Sequence, residues 1–134
     1  MNAFLLNQRL TDLSFTCNLG NEDKEIHLGI KYDFEVLNSS DNTHSHAKIK
    51  YYIEDTDAQP SLKLVVGFEG IIEHDVLHSS DDKIDVHLRS YDMLFPYVQM
   101  MVSQTISFAG MPPLMIPKDK LEKDRIGIKE NNIS

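Results

Sequence analysis

The sequence has a single cysteine, Cys17, so no disulfide can close within the chain and a reducing compartment suits it. No window approaches the roughly 18 apolar residues that a membrane helix needs. The start, "MNAFLLNQRLTDLSF", lacks both the cationic opening and the long apolar stretch of a signal peptide. These absences point to the cytoplasm and away from membrane insertion. No Gly-rich phosphate loop, nucleophile elbow or Cys-x-x-Cys occurs, so catalysis has no candidate centre and no cofactor is called for. Internal repeats and low-complexity tracts are also missing. Basic residues are scarce: 13 Lys and Arg face 21 Asp and Glu, a net charge of −8. The acid excess lies before Lys118, with 17 acids against 8 bases in residues 1–117 and 4 against 5 in 118–134. A surface of that sign repels phosphate backbones, which argues against nucleic acid and for basic or apolar partners.

What is present suits one domain. A chain of 134 residues with 41% hydrophobic and 25% charged residues can bury a core without staples. In "EIHLGIKYDFEV" the even positions from Ile26 and Leu28 to Val36 are apolar or aromatic, while the odd ones are polar or glycine. Period two predicts a strand with one face buried. After the polar turn "NSSDNTHSH", "AKIKYYI" alternates on odd positions, so the two runs read as an antiparallel hairpin with a long loop. A third run, "SLKLVVGFEGII", keeps Leu62, Leu64, Val66 and Phe68 in step, and Gly67 and Gly70 mark a bulge or a close backbone approach. Near the N-terminus Phe4, Leu6 and Leu10 have one parity and Leu13, Phe15 and Cys17 the other. A bulge near Thr11 and Asp12 would keep both sets on one face, with Cys17 a small buried hydrophobe.

From Ser80 the period lengthens. Ile84, Leu88 and Tyr91 fit a short helix capped by Ser80 or a neighbouring aspartate. Leu94, Phe95, Val98, Met101, Val102 and Ile106 then form a stripe at three- and four-residue spacing, with Asp92, Gln99, Ser103 and Ser107 opposite. Pro96 belongs in a first turn, so the main helix is expected to start near Tyr91 to Met93. Gly110 can take the left-handed conformation just past its end, and Pro112-Pro113 cannot continue it. The expected layout is sheet over 1–76, helix over 80–108, an extended piece and short helix over 109–128, and a frayed tail over 129–134. This is an α+β fold: a four-stranded antiparallel sheet, a long helix, then a short C-terminal helix.

Histidines give the one metal alternative. His74 and His78 have i, i+4 spacing and His44 with His46 makes a His-x-His pair, but surface histidines explain both.

Taken in order, "DLSF" (Asp12 to Phe15), "FEGII" (Phe68 to Ile72) and "LFPY" (Leu94 to Tyr97) before a Gly-x-Pro break resemble the SecB family of protein-export chaperones over nearly the whole chain. The resemblance implies a cytosolic holdase that binds unfolded or precursor polypeptides without ATP. It implies a dimer or a tetramer built as a dimer of dimers, with helix residues Leu94, Val98, Gln99, Val102, Ser103 and Ile106 at the interface. Its client groove would be walled by Phe4, Phe15, Ile26, Leu28, Phe108, Met111, Leu114, Met115, Leu121 and Ile126. Methionine is unbranched and polarizable, which suits a binder without sequence preference. Acids on the exposed sheet face would dock the SecA motor. Asp12 matches one, but Thr16 stands where a second is expected, and Lys63 and Val65 replace a leucine and a glutamate. That incomplete patch leaves an alternative: a SecB-like chaperone dedicated to one partner, such as an antitoxin.

Overall fold

The computed structural model describes residues 1–18, 27–56, 61–111, 114–118 and 132–133. Four long strands precede one helix: β1 (Ala3–Cys17), β2 (Leu28–Ser39), β3 (His44–Asp55), β4 (Leu62–His74) and α1 (Ser80–Phe108), followed by the two-residue β5 (Asn132–Ile133). The sheet order is β1-β4-β3-β2-β5, and the four long strands are antiparallel to their neighbours. The α+β layout read from the sequence is therefore found. The expected short C-terminal helix lies outside the described residues. Of the stretch read as a frayed tail, Asn132–Ile133 pair in parallel with Asn38 and Ser39 of β2.

Alternation decides which face α1 covers. On β3 the odd residues from Ser45 to Asp55 are buried, and on β4 Leu62, Leu64, Val66, Phe68 and Ile72 are their cross-strand partners or neighbours on the same face. The helix lays Tyr91, Leu94, Phe95, Val98, Val102 and Ile106 onto that face. Each such side chain stabilises the fold by roughly 1.5–3 kcal/mol through area removed from water. Close approach is possible because Gly70 lacks a Cβ, which would meet Leu94 Cδ2 at 3.0 Å and Leu5 Cδ1 at 2.9 Å. The centre of the layer is aromatic. Tyr32 stacks on Tyr51 at 5.1 Å, and the Tyr51 and Tyr91 hydroxyls share a 2.6 Å hydrogen bond, so two buried tyrosines satisfy each other.

The bulge expected near Thr11 and Asp12 is present, as a register shift between Leu10 and Asp12. A second shift between Leu5 and Asn7 was not signalled by parity, because Phe4 and Leu6 are both apolar and both exposed. The β2–β3 loop is shorter than its polar composition suggests. Asn38 and Ser45 continue the ladder and are buried, and Ser45 Oγ donates to Asn38 Oδ1 at 2.7 Å. Only a tight turn remains, with Asn42 at φ 58° and Asp41 Oδ1 accepting from Ser39 Oγ, Thr43 Oγ1 and Thr43 N. Those donors, Ser39 first, hold the Asp41 carboxyl down at about 2.

Pro96 falsifies the two-helix expectation, since α1 runs unbroken through it. Proline leaves the carbonyl of Asp92 without its helical donor. Both Asp92 and Pro96 are exposed, so water can serve that carbonyl, and the long apolar stripe beneath holds the helix together. The cap is Ser79, one residue earlier than expected: its side chain accepts from Asp82 N at 3.2 Å, while Asp82 Oδ2 accepts from His78 N at 2.9 Å. At the other end Gly110 has φ 76°, Gly110 N donates to Ser107 O and Met111 N donates to Ile106 O. This Schellman closure turns the chain back along the helix.

Candidate functional site

Behind the closure, residues 114–118 run antiparallel to α1. Ser103 Oγ donates to Leu114 O at 3.4 Å, Ile116 N donates to Gln99 Oε1 at 3.2 Å, and Lys118 Nζ pairs with Asp92. Ile116 is thereby buried, and Met111 and Leu114 are half-buried against the core. Met115, alternating with them, is 71% exposed, and Phe108 at the last helical turn is 90% exposed. A second apolar margin follows β1. Its helix-side residues Leu10, Leu13 and Phe15 lie opposite Phe68, Val66 and Leu64, yet Leu10 and Leu13 remain 38% and 49% exposed because α1 does not reach over them. Cys17 ends this row. It is exposed rather than buried, with its Sγ 3.9 Å from Met111 Sδ, so β1 and the post-helix segment meet there.

The sequence-derived groove is thus only partly assembled. Phe15, Leu28, Met111 and Leu114 pack against one core from the helix side, while Phe108 and Met115 stand free of it. Phe4 does not join them: opposite Glu73, it lies on the outer face of the sheet, because the β1 shifts change which parity faces the helix. Ile26, Leu121 and Ile126 lie outside the described residues. Leu10 and Leu13 were missed, although their place either side of the Thr11 bulge was the available signal.

The helix residues expected at an oligomer interface are placed differently. Leu94, Val98, Val102 and Ile106 are each at most 1% exposed inside the subunit, consumed by its own sheet. Gln99 and Ser103 flank that stripe and hold the 114–116 backbone. Among the described residues of α1, the exposed positions include Asp92, Pro96, Met100, Gln104 and Ser107.

On the outer face the sheet carries charge, around a hollow of about 600 Å³ that includes Asp12, Asp33, Glu35, Lys48, Lys50 and Glu69. Asp12 is exposed but partly engaged. A Cβ on Gly67 would lie 2.6 Å from Asp12 Oδ2, so the glycine opens a path by which the carboxylate crosses β4 to Lys50 Nζ at 3.7 Å. Contact with Tyr52 first, and Asp12 second, holds the Lys50 ammonium above its ordinary value. Glu69 is shared between Arg9 and His46. This face is mixed in sign, and the lone acid matched to the motor-docking patch is already half-occupied by a lysine.

His74 is buried with Nε2 2.8 Å from Ser45 Oγ and Nδ1 2.8 Å from Asp75 O, so both ring nitrogens are used, and His78 sits in the loop before α1. Among the described residues no group of three His, Cys, Asp or Glu could hold a metal ion, and no helix is long and apolar enough to cross a membrane.

No family model matches the sequence and no curated protein matches it, so any likeness lies in the backbone. The solved structures that share it include these two. One is a protein of unknown function from Streptococcus agalactiae, with TM-score 0.51 and 10% identity over 87% of this chain and 98% of that one. The other is the SecB-like chaperone of Mycobacterium tuberculosis in complex with a ChAD peptide from the HigA1 antitoxin, with TM-score 0.67 and 11% identity over 88% of each chain. At such identity the likeness establishes the fold alone: a four-stranded antiparallel sheet and one long helix arranged as in a SecB-like chaperone.

Proposed function

We propose that this protein is an ATP-independent holdase of the SecB-like kind, acting in the cytoplasm, and that it serves a dedicated partner such as an antitoxin rather than general export. The observation that carries the reading is the exposure of Phe108 and Met115: the core packs without them, and although Met115 Sδ accepts from Gln99 Nε2 at 3.2 Å, both side chains are mostly in water. Large apolar groups left exposed on a folded domain offer contact points for an apolar partner, a binding surface where they gather into a patch, and the flexible methionine side chain adapts to varied partners. Leu10 and Leu13 extend the apolar margin along β1. The acidic balance favours clients with basic segments and keeps the loaded protein dispersed.

The dedicated reading is favoured over export by Asp12, whose carboxylate is engaged with Lys50 beside Lys63 and Val65 on the same outer face. A SecA-docking role is the weaker partner assignment for that reason. Assembly into a homodimer or homotetramer belongs to the same proposal, through the β1 edge rather than the buried helix stripe. β1 is a 15-residue strand with no outer neighbour among the described residues, and an edge of that length with exposed Leu6, Leu10 and Leu13 is a ready surface for a second copy.

Light scattering of a chemically denatured test protein decides the matter. A holdase suppresses its aggregation at stoichiometric amounts without ATP. A dedicated chaperone does so weakly for an unrelated protein and strongly for its own partner, for which an antitoxin segment is the probe. No suppression of either would refute the reading.

A further inference from the structure

Of the sheet's two long edges, the one at β2 lacks the register shifts that interrupt β1. β2 pairs with β3 along one side, from Leu28 opposite Asp55 to Asn38 opposite Ser45. On its other side β5 covers only Asn38 and Ser39, running parallel to it. Among the described residues no strand pairs with the outer side of Leu28–Leu37. Backbone N–H and C=O groups along such an edge seek partners, and the usual protections are proline, bulges or a covering element. This stretch has no proline and no register shift. Its two faces also differ. Ile30, Tyr32 and Phe34 face the helix side and are incompletely covered, whereas Asp33 and Glu35 are exposed on the outer face. Lys50, directly opposite Asp33, reaches toward Asp12 and lies 5.4 Å from the Tyr52 ring centroid, so Asp33 is left for a cation arriving from the edge side.

We propose that the outer edge of β2, residues 28–37, which no strand among the described residues pairs, takes an extended client segment as an added strand, in the parallel direction that Asn132–Ile133 already uses, and that β5 competes with the client for the end of that edge. The proposal rests on the holdase reading and names the mode of capture. The segment that fits has apolar side chains at alternate positions, meeting Ile30, Tyr32 and Phe34, and basic ones between them, meeting Asp33 and Glu35. Backbone bonds would then supply affinity without sequence preference, and alternation would supply selection.

The test uses the full chain and a short synthetic peptide alternating valine with lysine. Two further versions are N-methylated at alternate residues, one in each phase. A strand adds to an edge through every second N–H, so one phase should lose about tenfold or more in affinity while the other binds as the parent does. Hydrogen exchange should slow at alternate amides of residues 28–37 when the parent peptide is bound. A chain ending at residue 131 should bind it about two- to tenfold more tightly, since the competing pairs at Asn38 and Ser39 are gone. If the chain suppresses aggregation but the two methylated phases bind equally and the β2 amides exchange unchanged, strand capture is overturned and the holdase reading stands. If the chain suppresses no aggregation and binds no peptide, both fall.

Discussion

β3 and β4 differ from β1 and β2 in one respect that organises the molecule. The inner strands have neighbours on both sides and a helix above them, and Ala47, Ile49, Tyr51, Leu64, Val66 and Ile72 are at most 1% exposed. The outer strands have one long neighbour each, and Leu10, Leu13 and Ile30 on their helix-facing sides remain 37–49% exposed. One helix can cover about two strands. Stability therefore resides in the middle of the sheet, and the apolar surface left over at its margins, with Phe108 and Met115, is what is available for binding.

The largest effect should come from breaking the covered side. Leu94→Ala removes a side chain with no solvent exposure between Gly70 and the core and should cost about 2–5 kcal/mol. Urea midpoints at widely different protein concentrations check it. A core residue loses the same stability at each concentration, whereas an interface residue would show a loss that depends on concentration. On the solvent side of the same helix the sign reverses: Pro96→Ala restores a donor for the Asp92 carbonyl and should raise stability by about 1–3 kcal/mol in the same assay. Gly67→Ala lies on the outer face. It should cost about 1 kcal/mol, because the Asp12 carboxylate must swing off its path to Lys50, and the pairing of the two residues should be lost by double-mutant cycle.

Acid should act on the margins in two steps. Burial beside Phe34 pushes the His87 imidazole below its ordinary value of 6.5, so its neutral form is favoured by folding, and that stability fades as pH falls below 6.5. Asp41 follows: with its carboxyl lowered from 3.8 to about 2, its contribution is intact above 3.8 and is lost as pH falls through about 2. NMR titration of the two side chains, alongside unfolding midpoints, checks both windows.

How much of this was legible depends on whether a feature is local. Strands β2 to β4 follow from period two, and the β1 bulge follows from the parity change between Leu10 and Leu13. Gly110 at φ 76° is a local requirement that glycine meets and the sequence displays. What escaped reading depends on the layer above or beside an element. The stripe through Leu94, Val98 and Val102 has the same spacing whether it meets its own sheet or a second chain, and only the three-dimensional arrangement assigns it to the core. Pro96 argued for a helix start because propensity is local, whereas the buried stripe that overrides it is not. Likewise Asp12 looked free until Gly67 was seen to open a route to Lys50.

In a holdase of this kind the exposed margin residues would bind unfolded chain and contribute nothing to the core. Phe108→Ser combined with Met115→Ser tests it most directly, by aggregation suppression and urea unfolding on the same samples. The expected result is a severalfold loss of suppression with stability unchanged within about 0.5 kcal/mol. Full suppression by the double variant, or a large fall in its unfolding midpoint, would contradict the claim.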